Sequence, residues 1–224
     1  MLASSTVENY LKAIYMGVNS LRPGQRLLPM GQLAASLGVT PGTATTMAKT
    51  LADAGLAEYE PYAGVALTPQ GHRLAGLVVR RHRLVELFLV RVMGFGWDEV
   101  HEEAEHLEHV VSDRLIERMD TMLGHPVADP HGDPIPNADG SVSPEPQDTL
   151  LTCPLGQPMT VTRVLDQNRA FLQFVETNRL KPGEIIQVEN RDESADSVLV
   201  TDHQMRRLTI GARAASKLQV RSAN

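Results

Sequence analysis

The stretch from residue 97 to residue 115, WDEVHEEAEHLEHVVSDRL, limits what this chain can form more than any other. Read as one helix, it places His101, Glu105, Glu108 and His109 within a sector of roughly 100°, since each residue turns the helix by about that angle. Apolar side chains at positions 100, 104, 107 and 111 fill the neighbouring sector, so the four polar residues border a buried stripe. The stretch therefore predicts either a site for a divalent metal ion or an acidic helix face that is merely solvated.

A second pair of the same chemistry favours the metal site. His82 and Glu86 lie four residues apart in the preceding helical stretch, which puts an imidazole and a carboxylate on one helix face. Two such groups on consecutive helices are harder to explain as solvated surface than one.

Cysteine content and hydropathy restrict the class of protein. Cys153 is the only cysteine of the 224 residues, which excludes an internal disulfide and a zinc ribbon and fits a reducing cytoplasm. The N-terminal residues lack a basic start followed by a long apolar core, and no apolar run approaches about 18 residues. We therefore expect a soluble cytoplasmic protein with no membrane association.

Charge is divided along the chain, although the net charge is only −6. Residues 1–83 hold eight Lys or Arg and four acids, whereas residues 84–125 hold three and ten. A basic front followed by an acidic middle predicts an anionic partner for the first part and a cationic partner for the second.

The basic front has the order of elements of a winged helix-turn-helix. An apolar stripe predicts a helix over residues 6–17 with Thr6 as its cap, and a second short helix covers 29–37. Gly38 and Val39 make the turn, and a third helix over 41–56 stops at Gly55. Two short strands around residues 62–64 complete the wing.

The third helix carries the expected DNA contacts. Its start and exposed face present small hydroxyls and one cation that can reach bases and phosphates. The candidate DNA-binding residues are Thr40, Gly42, Thr43, Thr45, Thr46 and Lys49. The alternative is a small helical core with no nucleic-acid role, but the order of helix, turn, helix and hairpin favours double-stranded DNA.

A long helix from His72 to about Val92 follows the wing. The apolar part of its surface is larger than packing against a single neighbouring layer of the same subunit would bury. Leu84, Leu87, Phe88, Val92 and Met93 contribute to it. Helices of this kind often pair between subunits, which predicts a homodimer. A two-fold dimer would hold two recognition helices roughly one DNA turn apart, as palindromic operators require.

The C-terminal third is a separate β-rich region. Residues 124–148 are rich in Pro, Gly, Asp and Ser and form a linker or an ordered meander. Beyond them, five short β-branched segments and one helical piece at 169–180 predict a small five-stranded barrel. The fold class is thus α+β, with expected domains at 1–73, 74–148 and 149–224.

Three motifs together resemble those of the diphtheria toxin repressor family of metal-dependent regulators, and in particular those of its manganese-type members. They are HRLVE at 82–86, VHEEAEHLEHVVSD at 100–113 and PHGDPIP at 130–136. The resemblance covers nearly the whole chain and implies a winged helix-turn-helix, a helical metal-binding and dimerisation domain, and an SH3-like barrel. It implies a dimeric transcriptional regulator of metal homeostasis genes, active when loaded with metal, rather than an enzyme.

The resemblance also implies particular metal ligands. His82, Glu86 and His101 match the family's ancillary site, and Glu105, Glu108 and His109 match its primary site. Glu105 stands where iron-type members have cysteine. Other positions are open: Asn9 stands at the first-helix ligand position with Glu8 as an alternative, Lys12 replaces an acidic ligand of some manganese-type members, and the barrel offers Asp166, Gln167 or Asn168.

This set of ligands predicts which metal binds and how metal binding is coupled to DNA binding. Carboxylates and imidazoles without sulfur favour Mn²⁺ or Fe²⁺, and two sites per subunit are expected. We hypothesise that a dication relieves repulsion among Glu86, Glu105 and Glu108, ties the dimerisation helices to the first helix, and so fixes the separation of the recognition helices.

Two other functional classes compete with this interpretation. A zinc hydrolase of the HExxH type needs histidine four residues after His101, where Glu105 stands, and a di-iron oxidase needs two ExxH helices. A winged-helix regulator that senses an organic ligand remains the principal alternative.

Overall fold

A computed structural model describes residues 4–22, 24–142 and 147–223. The first elements in chain order are α1 Ser5–Asn19, α2 Met30–Ser36, α3 Pro41–Asp53, β1 Ala57–Glu60, β2 Gly64–Leu67, α4 Pro69–Arg91, α5 Val100–Leu107 and α6 Asp113–Met122. They are followed by β3 Asp148–Thr149, β4 Pro158–Val164, α7 Arg169–Thr177, β5 Ile185–Asp192, β6 Ser197–Asp202, β7 Arg207–Gly211, α8 Ala212–Ala215 and β8 Leu218–Ser222. None of these helices is long and apolar enough to cross a membrane.

The chain contacts define two units. Unit 1 comprises the described residues of 1–82, 107–116 and 135–143, and unit 2 comprises those of 83–106, 117–134 and 144–224. Helices α4, α5 and α6 each contribute residues to both units.

Unit 1 contains the predicted winged helix-turn-helix. Thr40 caps α3, since its hydroxyl accepts a hydrogen bond from the Thr43 amide at 3.2 Å, and Pro41 begins the helix. Gly55 adopts a φ of 71° just beyond α3, and β1 pairs antiparallel with β2 as the wing. The core joins α1 to α3 through Leu11, Ile14, Ala44, Ala48 and Leu51. The α1 and α3 helices therefore share one packed interior.

One predicted cap was wrong. Thr6 lies inside α1, and Ser4 is the residue that precedes the helix. The Ser4 carbonyl accepts the first helical hydrogen bond, from Glu8 at 3.0 Å, so the helix begins at Ser5, one residue before the predicted start.

The single helix predicted over residues 97–115 was also wrong. Helix α5 ends at Leu107, and its carbonyl accepts hydrogen bonds from the amides of both Val110 and Val111 at 3.0 Å. Residues 108–110 form a turn, and Ser112 then starts α6 by accepting a hydrogen bond from Leu115 at its hydroxyl, 3.3 Å away. Glu108 and His109 therefore lie in a turn beyond the helix.

Unit 2 contains the β-rich region. The strand order is β3-β8-β4-β5-β6-β7, and every pair is antiparallel. All five predicted strands are present, β3 adds a two-residue edge, and α7 confirms the helical piece between β4 and β5. Inward-facing side chains such as Met159, Val161, Val188, Val200 and Val220 form its core.

Residues 124–142 form an ordered meander, the second of the two predicted possibilities. Asp129 donates its amide to the Asp133 carbonyl at 3.0 Å, and Ala128 bridges to Pro134. Gly132 has a φ of 86°, and a Cβ there would meet the Thr162 carbonyl oxygen at 1.9 Å, so only glycine allows this loop to approach β4. Residues 143–146 of the predicted linker lie outside the described residues.

Candidate metal centres and DNA-reading surface

The first group of candidate ligands lies in unit 1, and we call it the α1 cluster. Its members are Glu8, Asn9, Lys12, His82, Glu108 and His109. The His109 ring lies between α1 and the turn, with Nδ1 2.7 Å from Glu8 Oε2 and Nε2 2.7 Å from Asn9 Oδ1. Its Nε2 is also 3.3 Å from Glu108 Oε1. The turn after α5 thus aims two predicted ligands at the first helix.

Glu108 is the buried centre of the α1 cluster. Its side chain is fully buried, with Oε2 2.5 Å from His82 Nδ1 and 2.8 Å from Lys12 Nζ. Burial raises the pKa of Glu108, but the hydrogen bond from His82 and the charge of Lys12 outweigh it, so the pKa lies below its ordinary value. Glu108 is therefore held as an anion that requires a neighbouring cation.

Arg81 fixes the turn that carries Glu108. Its guanidinium donates to the Glu108 carbonyl at 3.3 Å and to Asp113 Oδ1 at 2.8 Å, and lies 3.7 Å from Glu8 Oε1. A planar guanidinium suits this role because its donors point in fixed directions. The turn, the start of α6 and the start of α1 are thereby held by one side chain.

The second group of candidate ligands lies in unit 2, and we call it the loop cluster. Its members are Glu86, His101, Glu105, Asp129 and His131. His101 Nδ1 lies 3.1 Å from the buried Glu86 carboxylate, and its Nε2 lies 3.5 Å from Glu105. Half of the His101 side chain is exposed, which leaves an access route from solvent.

His131 and Asp129 enter the loop cluster from the meander. One ligand atom from each of Glu86, Asp129 and His131 lies within 4.8 Å of the others, and all three residues are buried. His131 Nε2 donates to the Trp97 carbonyl at 2.8 Å, so Nδ1 carries the free lone pair. Within the described residues, neither His131 Nδ1 nor Asp129 Oδ2 has a hydrogen-bond partner. Buried, unpartnered ligand atoms of this kind fit a metal ion.

The electrostatics of the loop cluster also favour a bound metal ion. Burial and the neighbouring carboxylates of Asp133 and Glu86 raise the pKa of Asp129 well above its ordinary value. The positive charge of Arg83, whose Nε lies 3.7 Å from Asp129 Oδ2, opposes this rise but does not cancel it. A dication bound here would add positive charge beside these carboxylates.

The three barrel candidates have other partners. Asp166 accepts a hydrogen bond from Lys217, which lowers its pKa, and Asn168 caps α7 by accepting from the Ala170 amide at 3.1 Å. Gln167 donates to Asp133 Oδ2 at 2.7 Å. Of the three, Gln167 is the one that contacts the meander.

The structure divides the predicted ligands between the two units. Asn9, His82, Glu108 and His109 lie in unit 1, whereas Glu86, His101 and Glu105 lie in unit 2. The sequence reasoning missed Asp129 and His131. The available signal was Asp129 directly before the PHGDPIP motif, since it places a carboxylate two residues from the imidazole of His131, next to the glycine of a chain reversal.

The candidate DNA-reading residues lie on and before α3. Thr40, Gly42, Thr43, Thr46 and Lys49 are exposed, and Thr45 is half-buried. The hydroxyls of Thr45 and Thr46 donate to carbonyls one turn earlier, which leaves their lone pairs facing outward. Lys49 lies over the Tyr59 ring of the wing, 5.9 Å from its centroid.

Family models match all three regions of the chain. The iron dependent repressor N-terminal DNA binding domain matches residues 1–65, and the iron dependent repressor metal binding and dimerisation domain matches residues 68–137. The FeoA domain matches residues 149–222.

Curated proteins and solved structures agree with these models. The iron-dependent repressor IdeR of Mycobacterium tuberculosis is 35% identical over 167 residues, covering 70% of this chain and 69% of IdeR. The diphtheria toxin repressor of Corynebacterium jeikeium is 31% identical over 196 residues, covering 83% and 77% of the two chains. A manganese-dependent transcriptional repressor in complex with manganese superposes with a TM-score of 0.86 at 38% identity, covering 97% of this chain and 100% of that one.

Proposed function

The chain belongs to the iron-dependent repressor family of metal-dependent, DNA-binding transcriptional regulators, and we propose which metal it senses. The proposed ion is Mn²⁺ or Fe²⁺. The donors of both clusters are carboxylate and amide oxygens and imidazole nitrogens, with no sulfur among them, which suits these ions. The buried, unpartnered Nδ1 of His131 is the single observation that best supports a metal requirement.

Two sites per subunit are part of the proposal. The α1 cluster would hold one ion through Glu108, His109 and Asn9, with Glu8 beside them. The loop cluster would hold another through Glu86, His101, Asp129 and His131. His82 and Glu105 complete the set of ligands that the family resemblance implies. Each ion would supply positive charge to carboxylates that are otherwise buried near one another.

The α1 cluster is connected to the DNA-reading helix through unit 1. Helix α1 places Glu8 and Asn9 against His109, and its Leu11 and Ile14 belong to the same buried core as Ala44, Ala48 and Leu51 of α3. A ligand set that fixes α1 against the turn therefore also fixes α3. We propose that this preorganisation raises affinity for operator DNA.

Dimerisation and operator symmetry complete the proposal. Val92 and Met93 near the end of α4, and Leu115 and Met122 on α6, are exposed apolar side chains that a second subunit would cover. Leu84 and Leu87, which were expected to share in subunit pairing, are buried within the protomer. A cytoplasmic homodimer would read a palindromic operator near metal homeostasis genes, with domains at 1–73, 74–148 and 149–224.

The test is DNA affinity with and without metal. A duplex selected from random DNA by the Mn²⁺-loaded protein should bind at least about fivefold more tightly in Mn²⁺ than in a chelator, because coupling of about 1–3 kcal/mol is typical of such regulation. Glu108→Gln should abolish the difference. Glu103→Gln, which changes an exposed acid on the preceding helix α5, is the matched control and should retain it.

Two results would overturn the proposal. Equal affinity in Mn²⁺, Fe²⁺ and chelator would show that metal is not the signal and would favour the organic-ligand alternative. A full metal response in Glu108→Gln would show that the α1 cluster is not the sensing site.

A further inference from the structure

The Lys12 ammonium group contacts the proposed metal-binding atoms of Glu108 and His82 in the α1 cluster. Its Nζ is 2.8 and 3.0 Å from the two Glu108 oxygens and 3.1 Å from His82 Nδ1. Only 14% of the Lys12 side chain is exposed, so the ammonium is enclosed with the groups it contacts. An ammonium thus contacts a carboxylate and an imidazole that belong to the proposed ligand set.

The ammonium and a metal ion cannot use these atoms together. Nζ lies 2.8 and 3.0 Å from the two Glu108 oxygens, so a divalent ion that bound both of them at about 2.0–2.6 Å would lie very close to the observed Nζ position. Two like charges at that separation repel each other strongly in a partly buried site. Because Nζ contacts both Glu108 oxygens, it occupies the side of the carboxylate that an ion bound to both oxygens would take.

We propose that Lys12 is a tethered internal competitor for the metal. A divalent ion enters the α1 cluster only by displacing the Lys12 ammonium from Glu108, and this exchange sets the metal concentration at which the protein loads. The inference rests on the proposed function, since it concerns the same site.

The contacts give this exchange a physical basis. The Glu108 side chain is fully buried, so its carboxylate without a cation beside it would be an unpaired buried charge, which is strongly unfavourable. Lys12 compensates that charge from within the chain. Because its four-carbon stem is flexible and its charge is compact, the ammonium can leave towards solvent without moving the backbone of α1.

A merely structural role for Lys12 predicts a different outcome. If the pair only stabilised the packing of α1 on the turn, removing the ammonium would weaken or leave unchanged the binding of metal nearby. Internal competition requires metal binding to become tighter when the ammonium is removed.

The first experiment measures metal binding directly on the full-length protein, by titrating Mn²⁺ against a fluorescent chelator. Lys12→Met keeps the length and apolar stem and removes the charge, and its Mn²⁺ affinity should rise at least about tenfold. Lys12→Arg retains a cation and should stay within about threefold of the wild type. Arg22→Met removes one exposed positive charge from the same unit and should leave the affinity unchanged.

The second experiment needs no substitution. Brief reductive methylation followed by mass spectrometry reports how exposed each lysine amine is. Saturating Mn²⁺ should raise the labelling of Lys12 several-fold, because displacement moves its ammonium into solvent, whereas the exposed Lys49 should label equally with and without metal. This measurement decides the question if Lys12→Met does not fold.

The outcomes separate the inference from the proposed function. If Mn²⁺ binds the wild type and Lys12→Met binds it no more tightly, or if Lys12 labelling ignores bound Mn²⁺, internal competition is overturned and the metal site stands. If neither Mn²⁺ nor Fe²⁺ binds the wild type or any variant, the proposed function falls and the inference falls with it.

Discussion

At the scale of single residues, Asp129 shows how a site can cost stability when its ligands are not engaged. Its Oδ1 accepts hydrogen bonds from the amides of His131 and Asp133, at 2.8 and 2.9 Å, whereas its Oδ2 is buried without a hydrogen bond. Because its folded pKa is raised, the folded state binds the proton more tightly than the unfolded chain does. Stability from this group is therefore lost as pH rises from the ordinary aspartate value of 3.8 through the folded pKa.

We expect Asp129→Asn to stabilise the protein in a chelator at neutral pH and to weaken its response to metal. Relief of an unsatisfied buried group is worth about 1–3 kcal/mol, which corresponds to a melting-temperature rise of several degrees. The amide keeps the oxygen that caps the meander and removes the charge. Adding Mn²⁺ should then raise the melting temperature less than in the wild type, since one ligand of the loop cluster is lost.

Thermal unfolding in chelator and in Mn²⁺ measures both effects. Asp53→Asn, an exposed acid at the end of α3, serves as the control and should match the wild type in both conditions. A lower melting temperature of Asp129→Asn in chelator would contradict the electrostatic account of the loop cluster.

At the scale of elements, local signals predict the fold well and the sites only in part. The caps and stops of α3, at Thr40, Pro41 and Gly55, act within a few residues, so the winged helix could be derived from the sequence. The same holds for the alternating apolar strands of the barrel.

Helical periodicity failed where tertiary contacts decide the backbone. Glu108 and His109 continue the helical pattern of α5, yet Arg81 binds the Glu108 carbonyl and Ser112 begins a new helix, so a turn forms between them. The types of the proposed ligands follow from residue identity alone, because coordination chemistry depends on the side chain. The pairing of Glu86 with Asp129 and His131 joins residues more than 40 positions apart, and periodicity carries no information at that range.

Helix α3 supports a prediction about DNA recognition that is separate from metal binding. Lys49→Gln should weaken binding several-fold for operator and unrelated duplexes alike. The slope of log affinity against log salt concentration should fall in magnitude by about one, as the loss of one phosphate contact predicts. Thr46→Val should mainly reduce the preference for operator, because its hydroxyl lone pair faces outward from α3. Mn²⁺ affinity should stay unchanged in both.

Fluorescence anisotropy over a range of salt concentrations, with operator and scrambled duplexes, checks these expectations. Arg91→Gln removes an equal charge from an exposed position at the end of α4 and should leave DNA affinity unchanged at every salt concentration. If Arg91→Gln weakens binding as much as Lys49→Gln does, overall charge rather than α3 accounts for the interaction.

At the scale of the whole molecule, the basic and acidic segments of the chain coincide with the segments proposed to bind DNA and metal. The first 83 residues carry twice as many basic as acidic side chains and hold the DNA-reading helix, and the next 42 reverse that balance and hold most of the proposed metal ligands. In the proposed function, DNA and the metal ion therefore bind mainly to different parts of the chain. Helix α1 belongs to both functions, because it contacts His109 on one side and shares a core with α3 on the other.

Such coupling must be reciprocal, which makes the last prediction quantitative. If Mn²⁺ raises operator affinity by a given factor, saturating operator must raise Mn²⁺ affinity by the same factor, since both are sides of one thermodynamic cycle. Chelator-competition titrations with and without operator should therefore reproduce the ratio measured by DNA binding. In Lys12→Met, Mn²⁺ should saturate at lower concentration while the two ratios stay equal to each other. Unequal ratios in the wild type would mean that a further equilibrium, such as metal-driven dimerisation, contributes to the response, and repeating both titrations at several protein concentrations would identify it.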